Sequence, residues 1–553
     1  MSRREAVLSA GGLFLLALVV RALIASTIPF PTPEDTAYYY GVARNVVEGR
    51  GLISDAIWSF QTPPLEFPRP AFEVWLPLPT LLALVPMLVL GTSFHAAQVT
   101  TVLIASLVPV LTWRIAADLA VELELPVGRA RTLALGSGIT AAVSLPLLLH
   151  GVLPDSTTPY TVLALAGCLL MVRIVRELRG ARALDRRLLG LGVVFGLAAL
   201  TRNEVVWLGL TWIVVAWWGA RRMSAAWRSA LVRLVGVPAL VGLAILSPWL
   251  LRDWIVFGSP LPGQAATNAL SITGFDIFAY ADPPTLARYL AQGPAFMVSS
   301  RVDGFIHNLF SVLLIPSFPV GVVGLVSLFI VRRVGTARSL RPLVLLSAIT
   351  FTATTLLFPV ATTWGTFLHA AGPVQVLLIV GCLAGLDAFI VRVGKLRGWT
   401  RPVAWLGPTL TVATSVLFSF AILGYAQQSR EVQTRYAALG PALATAGLSQ
   451  DELAAPVIAD FPIWYAEGMR HSSLALPDEP PSDVVALAQR FGARLLVLSS
   501  DGHGRWPGVI DAGPTGPGGP SAACFHEVTL TEPTDPAERA ALQGTRVFRI
   551  DCS

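Results

Sequence analysis

Three acidic residues stand where apolar segments of the chain meet short polar loops. Glu34 and Asp35 follow the first apolar block, and Asp155 lies in the stretch HGVLPDSTTPY after another block. A carboxylate within hydrogen-bond reach of a sugar hydroxyl can take up its proton as a general base. An acid at the start of a helix can equally cap that helix. The sequence leaves both roles open for all three residues.

Arg202 is the single basic residue in the tight turn LTRNE between two apolar blocks. A cation at a membrane boundary is costly, so it usually has a partner. A guanidinium matches the geometry of a lipid phosphate, and Glu204 offers a structural alternative. We predict that Arg202 contacts a lipid phosphate. Arg252 and Arg301 are further candidates, although each also has an acid within two residues.

Five other side chains are weaker candidates for substrate contacts: Tyr38, Tyr39, Arg44, His307 and His369. The two tyrosines could instead be interfacial anchors, and a histidine at the end of an apolar block is more often a packing residue. The stretch from Asp35 predicts a helix that ends at Gly49-Arg50-Gly51, because glycine favours helix C-termini.

The composition is that of a polytopic membrane protein. Of 553 residues, 54% are hydrophobic and 13% charged, against about 25% charged residues in soluble domains. The apolar residues form blocks separated by Arg-rich linkers, which predicts membrane-spanning helices. The formal charge of +6 lies largely in those linkers, so it reports topology and gives little support for nucleic-acid binding. A soluble cytosolic enzyme is excluded.

The arginines predict the topology. Four basic linkers, at 173–187, 221–228, 332–341 and 392–401, are placed in the cytoplasm by the positive-inside rule. Alternation then gives about eleven transmembrane helices, with the N-terminus inside and the C-terminus outside. The predicted spans are 8–25, 96–118, 131–149, 157–175, 188–200, 204–219, 230–251, 306–331, 341–360, 366–392 and 403–425.

This topology works only if residues 76–91, which contain three prolines, form an interfacial or broken helix rather than a span. We therefore predict a transmembrane domain over 1–425, with outer loops at 28–75 and 252–305. The protein is predicted to be a multi-pass protein of the plasma (cytoplasmic) membrane, with the lipid bilayer as a partner.

Residues 426–553 predict a small extracytoplasmic α/β domain. Short buried strands are expected at 457–460, 494–500 and 545–551, with an amphipathic helix at 482–490 that gives β-α-β order to the first two strands. Cys524 and Cys552 both lie in this domain. An oxidising exterior would let them form a disulfide, and two unpaired thiols are the alternative.

The chain has no Walker A loop, HExxH, GxSxG or CxxC motif, so the corresponding ATPases, metalloproteases and serine hydrolases find no local signature. A transporter would carry ionisable residues near the middle of its spans. Here these residues collect at the predicted outer ends, which favours an enzyme acting at the outer surface. A polytopic transporter, or a ligase or polymerase of the O-antigen type that uses lipid-linked saccharides, remains the alternative.

Three motifs resemble those of the GT-C glycosyltransferases, including bacterial family 39, the protein O-mannosyltransferases and the aminoarabinose transferase of lipid A. They are PEDTAYYYGVARNVVEGRGL in the first outer loop, LTRNE at 200–204, and SPWLLRDWIVFGSPLP, which includes Arg252. They occur in the family's order and cover the membrane region. Many members have Asp-Glu where this chain has Asp35-Thr36, preceded here by Glu34. The family's catalytic aspartate aligns with Asp35, and Glu34 is the alternative.

The resemblance implies transfer of a sugar from a polyprenyl-phosphate-linked donor to a hydroxyl of a glycan, lipid or protein acceptor at the outer face. Asp35 would be the base of one inverting displacement, Arg202 would bind the departing phosphate, and Asp155 would orient the base or the acceptor. With a diphosphate donor, a divalent cation such as Mg²⁺ or Mn²⁺ held by Asp35 and Asp155 is implied; with a monophosphate donor, none is needed.

Overall fold

The computed structural model describes residues 2–178, 181–222, 227–399, 403–499 and 502–552, without the side chains of 181–185. Three positions used in the sequence predictions lie outside these ranges: Arg179 and Arg401 of the basic linkers, and Ser500 at the end of a predicted strand.

The described residues form a helical bundle and a smaller sheet domain. Six helical segments are long and apolar enough to cross a membrane: Arg3–Ala25, Phe94–Glu122, Thr157–Arg176, Trp227–Phe257, Gly372–Leu396 and Leu406–Thr445. Four shorter apolar helices are Leu78–Leu90, Val205–Ala220, Val320–Ile330 and Arg341–Leu357. The prediction of a polytopic helical protein is confirmed. The count of eleven crossings and the side of the membrane on which each end lies stay predictions.

The remaining helices connect and flank these segments. Those of the membrane region are Val127–Val143, Leu145–Leu149, Ala181–Ala199, Gly293–Ile306, the π-helix His307–Leu314, Arg332–Gly335, Ala361–Trp364 and Thr366–Ala370. The segment 252–305 contains Ala265–Ala269, Gly274–Phe278 and Leu286–Ala291. The C-terminal region adds Gln450–Ala454, Pro462–Met469, Pro481–Phe491, Gly508–Asp511, Pro520–Cys524 and Pro536–Leu542.

Two segments of special interest fold as single helices. Residues Leu78–Leu90 form one helix with Pro86 inside it, and 13 residues reach only about 20 Å, less than the thickness of a bilayer core. The helix predicted from Asp35 is confirmed as Glu34–Val47. We refer to it as the outer-loop helix after its predicted location. It ends before Gly49, whose φ of 78° is a left-handed conformation that glycine tolerates.

Eight strands complete the fold: β1 Ile53–Ser54, β2 Ala56–Ile57, β3 Arg69–Pro70, β4 Val457–Ala459, β5 Ser473–Ala475, β6 Leu495–Leu498, β7 Phe525–Val528 and β8 Arg546–Ile550. β1 and β3 pair antiparallel. The other six form one sheet in the order β2-β5-β4-β6-β8-β7. Strands β2, β5, β4 and β6 run parallel, and β8 pairs antiparallel with both β6 and β7.

The predicted strands and helix of the C-terminal region are confirmed within a few residues as β4, β6, β8 and Pro481–Phe491. The expected simple β-α-β order is corrected, because β5 lies between β4 and the helix in sequence and pairs on the other side of β4. The apolar segment Leu406–Thr445 consists of the helices Leu406–Ser419 and Ile422–Thr445, and the predicted boundary at 425 falls inside the second one. The sulfur atoms of Cys524 and Cys552 are joined in a disulfide beside β7 and β8.

The C-terminal region shares one hydrophobic core with residues 28–75, the predicted first outer loop. Strand β2 comes from that loop and pairs with β5 at Ala56–Ser473 and Ile57–Leu474. Side chains of both regions, including Trp58, Ile458 and Leu496, pack in the same buried cluster. The sheet domain therefore fixes the helix Glu34–Val47 from one side, while the helical bundle meets it from the other.

Candidate active site

A cavity of about 370 Å³ lies where the outer-loop helix, the turn 201–204 and the segment 354–369 meet. Four of the residues singled out from the sequence line it: Asp35, Tyr39, Arg202 and His369. Its walls also include four tryptophans, Trp58, Trp75, Trp207 and Trp364. The cavity thus places an acid and a guanidinium among aromatic surfaces.

Asp35 lies in the first turn of the outer-loop helix, and its side chain is one-quarter exposed. The helix has no side-chain cap hydrogen bond, so capping does not occupy this carboxylate. Its Oδ2 atom lies 3.2 Å from Nε2 of His369. Burial raises the pKa of Asp35 to about 6, while the charge of Arg202 acts to lower it. The carboxylate is therefore ionised at neutral pH and basic enough to accept a proton.

Asp155 is fully buried and does not line the cavity. Its Oδ2 lies 2.9 Å from Nδ1 of His150, and its Oδ1 accepts a hydrogen bond of 2.8 Å from the backbone N–H of Thr157. Burial acts to raise the pKa of Asp155, but His150 and the hydrogen bonds hold it below its usual value. Asp155 therefore holds the first N–H group of the helix Thr157–Arg176 and also orients His150.

The two residues after Asp155 contact the other charged groups of the site. Ser156 Oγ accepts a hydrogen bond of 2.7 Å from Nη1 of Arg202. Thr157 Oγ1 lies 2.8 Å from Nδ1 of His369. With Nε2 of His369 donating to Asp35, the Thr157 hydroxyl donates to Nδ1, which fixes the neutral tautomer of the ring. Residues 155–157 therefore connect the guanidinium of Arg202 with His369, which contacts Asp35.

Arg202 is held in place by Glu204, the structural partner that the sequence offers two positions away. Its Nε and Nη2 atoms donate to the two carboxylate oxygens of Glu204 at 3.0 and 2.7 Å. This fork also leaves the guanidinium at the wall of the cavity, with 14% of its side chain exposed. Arg202 can therefore keep its ion pair with Glu204 and also contact an anionic ligand in the cavity.

Glu34 points away from Asp35 and towards the sheet domain. Its Oε1 accepts a hydrogen bond of 2.9 Å from the backbone N–H of Ile463, and its Oε2 accepts one of 3.1 Å from Trp58 Nε1. Burial raises the pKa of Glu34 to about 8. The carboxylate does not line the cavity. It contacts the site through Trp58, which forms part of the wall.

Tyr38 and Arg44 also face the packed side of the helix. The Tyr38 hydroxyl accepts a hydrogen bond of 2.5 Å from the backbone N–H of Phe72, and its ring centre lies 4.1 Å from that of Trp75. Arg44 donates from Nη1 to Oε1 of Glu467 in the sheet domain. Neither residue lines the cavity, so the structure places both in the packing around the site.

Three other candidates lie outside the cavity lining. Arg252 donates to Asp253 at 2.8 Å and stacks on Trp249 with 4.9 Å between its guanidinium carbon and the ring centre. Arg301 donates to the Tyr289 hydroxyl at 3.0 Å and to a carbonyl of its own helix. His307 begins the π-helix His307–Leu314. The structure does not bring these three side chains to Asp35.

One group of described residues has the arrangement of a metal site. His150, Asp155 and His369 each offer a ligand atom within 4.8 Å of the others. Two imidazoles and one carboxylate suit Zn²⁺ better than Mg²⁺, which prefers oxygen ligands. This set differs from the predicted pair Asp35 and Asp155. The ring of His369 lies between the two acids, with Nε2 next to Asp35 and Nδ1 next to Thr157. Each of the three side chains already has a hydrogen-bond partner within the protein.

The sequence predictions missed several residues of the site. His150 lies five residues before Asp155 in the same polar loop, and that proximity was a usable indication. Ser156 follows Asp155 directly. The four tryptophans of the wall come from three separate regions of the chain, and no local pattern distinguishes them from interfacial tryptophans.

No protein-family profile matches the chain, and no curated protein matches its sequence. Solved structures do match its fold. ArnT from Cupriavidus metallidurans bound to undecaprenyl phosphate is 14% identical, with a TM-score of 0.53 over 99% of this chain and 98% of that one. The Archaeoglobus fulgidus oligosaccharyltransferase in complex with Zn and sulfate is 13% identical, with a TM-score of 0.52 over 93% of this chain and 72% of that one.

These likenesses extend over nearly the whole chain, including both the helical bundle and the sheet domain. At 13% and 14% identity they establish the fold alone. The chain therefore shares its fold with these two proteins, in agreement with the fold that the resemblance of its three motifs implies.

Proposed function

We propose that the protein transfers a sugar from a polyprenyl-phosphate-linked donor to an acceptor hydroxyl. The observation that carries this proposal is the convergence of Asp35 and Arg202, 167 positions apart in the sequence, on one cavity of about 370 Å³. A proton acceptor and a phosphate-binding cation are the two groups that such a displacement needs. The fold shared with ArnT, which was solved with undecaprenyl phosphate, supports the lipid-phosphate donor.

The proposed reaction is one direct displacement. The acceptor oxygen attacks the anomeric carbon of the donor sugar and forms the new glycosidic bond. The bond from that carbon to the phosphate oxygen breaks, and the electron pair leaves with the polyprenyl phosphate. The hydroxyl proton passes to Asp35. Attack opposite the leaving group inverts the anomeric centre.

His369 acts as a positioning residue in this proposal. Its neutral ring donates to Oδ2 of Asp35 and is itself held by Thr157. That hydrogen bond favours the ionised carboxylate and fixes its rotamer, which leaves the other oxygen for the acceptor hydroxyl. Asp155 holds the backbone of Thr157 and also contacts His150, so it helps to fix the position of Thr157. The acid therefore meets its substrate in a preorganised orientation.

Arg202 stabilises the charge that develops on the departing phosphate. Its guanidinium is already fixed by Glu204 and Ser156, so little conformational freedom is lost when an anion binds. The apolar side chains of Val206, Trp207 and Phe358 line the same cavity. They provide a surface for the first isoprenoid units of the donor, next to the phosphate.

The group His150, Asp155 and His369 would hold a divalent cation if the enzyme uses one. Bound there, a cation would supply positive charge near a donor diphosphate. The hydrogen bonds now made by these side chains would have to be exchanged for metal ligands, and the displacement above is complete without the ion. Elemental analysis of the purified protein, compared with a His150→Ala variant, decides whether a metal is resident.

We further propose that the site lies at the outer face of the plasma membrane. Three of the four basic linkers contribute arginines to one other cavity, and the helix Thr157–Arg176 runs from Thr157 beside His369 to Arg176 at that cavity. This separation supports a cytoplasmic location for the basic linkers and an outer location for the Asp35 cavity. Residues 426–553, together with strand β2, would then be the extracytoplasmic domain.

The decisive experiment separates donor binding from transfer. Undecaprenyl phosphate is titrated into the purified full-length protein, and polyprenyl-phosphate sugars are followed by mass spectrometry in membranes that carry each variant. Asp35→Asn should keep lipid-phosphate binding and lose donor consumption, whereas Arg202→Gln should weaken the binding. Arg301→Gln, whose guanidinium lies outside the cavity lining, is the matched control. Unchanged binding and consumption in both cavity variants would overturn the proposal.

A further inference from the structure

A second and larger concave site lies at the opposite end of the helical bundle. It has a volume of about 720 Å³ and is bordered by four arginines, Arg176, Arg222, Arg338 and Arg341. We refer to it as the basic groove. None of the side chains that line it has a role in the proposed reaction.

The helix Thr157–Arg176 relates the two sites. Thr157 contacts His369 at the Asp35 cavity, and Arg176 borders the basic groove. Twenty residues of α-helix span about 30 Å, the thickness of the hydrocarbon core of a bilayer. The groove therefore lies at the membrane surface opposite to the cavity, which the positive-inside rule makes the cytoplasmic one.

The charge balance of the groove favours an anion. Two acids also line it, but Asp118 is paired with Arg114 at 2.7 Å. Glu122 accepts hydrogen bonds of 2.6 and 2.8 Å from the backbone N–H groups of Arg338 and Ser339. Among the described residues, none of the four groove arginines has a carboxylate within ion-pair distance. Glu122 thus fixes the loop that carries Arg338 without neutralising its side chain.

Backbone geometry adds to this preference. The 17-residue helix Arg341–Leu357 begins at the groove, with Pro342 in its first turn. The first N–H groups of a helix have no partner within the helix and carry partial positive charge. Guanidinium groups next to a helix N-terminus form a favourable environment for phosphate oxygens.

The groove also has an apolar side that faces outwards. Val121 and Trp218 line it and are 77% and 42% exposed, respectively. Both belong to helices of the bundle, so in a bilayer these exposed surfaces meet acyl chains. A ligand that fits both sides has a phosphate among the arginines and a hydrocarbon chain against Val121 and Trp218.

From this combination we propose that the basic groove binds the headgroup of an anionic phospholipid of the cytoplasmic leaflet. Basic pockets between transmembrane helices at that surface are suited to such headgroups. The exposed apolar wall distinguishes a lipid from a soluble phosphate compound, which would leave this wall uncovered. The proposal does not depend on the reaction proposed for the Asp35 cavity.

The test uses the full chain, delipidated in detergent and titrated with dioleoyl phosphatidylglycerol or dioleoyl phosphatidylcholine. Native mass spectrometry measures the bound lipid. We expect the wild type to bind phosphatidylglycerol tightly. The affinity of Arg176→Gln/Arg341→Gln should be lower by about tenfold or more, because each cation near an anionic lipid adds to affinity. Phosphatidylcholine should bind weakly to both proteins.

Two variants control for charge and for the other site. Arg332→Gln/Arg333→Gln removes two exposed arginines from the same end of the bundle but outside the groove lining, and Arg202→Gln changes the Asp35 cavity. Both should retain the lipid. Loss of phosphatidylglycerol in either control equal to that in the groove variant would overturn the proposal, as would wild-type affinity in the groove variant.

Two further arms keep the test decisive. Millimolar inorganic phosphate should fail to displace phosphatidylglycerol from the wild type, and complete displacement would show that the groove prefers a soluble anion. If the double variant does not fold, Arg341→Gln is compared with Arg341→Lys, which keeps the charge. Equal lipid binding by these two single variants would also count against the proposal.

Discussion

The two faces of the helix Glu34–Val47 contain similar residue types with different surroundings. On the cavity face, Asp35 is one-quarter exposed and contacts His369. On the face towards the sheet domain, Glu34 accepts hydrogen bonds from Ile463 and Trp58. The two acids are adjacent in sequence, and one step along a helix rotates a side chain by about 100°. That rotation separates a group available for chemistry from one used to join two parts of the fold.

Mutations on the two faces should therefore affect different properties, activity on one face and stability on the other. Ion pairs from the sheet domain hold the second face: Glu467 pairs with Arg44, and Arg470 pairs with Glu48 at 2.7 Å. No residue of the sheet domain lines the cavity among the described residues. We therefore expect cavity-facing residues to determine turnover, and domain-facing residues to determine how firmly the helix is held.

The largest effect is expected for Asp35→Asn. Loss of a general base reduces the rate by about 10²–10⁴-fold, and the amide fits the same space, so the melting temperature should change little. Glu34→Gln is the matched control, because burial raises the pKa of Glu34 to about 8 and a neutral amide resembles its protonated form. Sugar transfer in membranes measures both. Near-normal turnover in Asp35→Asn together with an inactive Glu34→Gln would reverse the assignment of the two faces.

The next effect in size is expected for Arg202→Gln. Removal of a preorganised group that stabilises developing charge costs about 10²–10³-fold in kcat. The same substitution leaves Glu204 without its partner, so Glu204→Gln and the double variant are needed for comparison. Glu204→Gln should keep most of the activity, and the double variant should be as slow as Arg202→Gln alone. Recovery of activity in the double variant would show that Arg202 only neutralises Glu204.

A smaller effect on turnover, but a clear one on stability, is expected for Arg44→Ala. The side chains of Arg44 and Glu467 are 5% and 10% exposed, and breaking such a buried pair costs about 3–5 kcal/mol. Thermal unfolding in detergent should show the loss, with kcat nearly unchanged below the melting temperature. Arg470→Gln breaks the more exposed pair with Glu48 and should cost about 0–1 kcal/mol. Equal losses in the two variants would remove the distinction between buried and exposed links.

Periodicity and local composition were enough to predict much of the fold. The outer-loop helix, three strands of the sheet and the helix Pro481–Phe491 follow from apolar spacing and glycine positions. Strand β2 did not follow, because a two-residue strand has no periodicity to detect. Its pairing with β5 joins segments more than 400 residues apart, and no local pattern in a single sequence encodes that contact.

The site was predictable only where a residue stands out from its local sequence. Arg202 stands out because it is a lone cation between apolar blocks, and Asp35 stands out as an acid at a loop helix. The direction of each side chain depends on packing that the sequence does not display. The pairs Tyr38 and Tyr39, and Glu34 and Asp35, each divide between the cavity and the packed face. His369 gave no sign of contacting Asp35 because they are 334 positions apart.

The smallest effects are expected for Arg252→Gln and Arg301→Gln, which extend the comparison to cations beyond the cavity. Arg252 is held by Asp253 and Trp249, and Arg301 by Tyr289 and its own helix. Because neither guanidinium borders the cavity, a phosphate bound beside Arg202 should gain little from them at ordinary ionic strength. We expect changes in kcat/KM below about threefold, since surface charges at a distance contribute little. A loss comparable to that of Arg202→Gln would mean that the donor phosphate extends beyond the cavity, and that the boundary between binding and packing residues lies further out than the outer-loop helix.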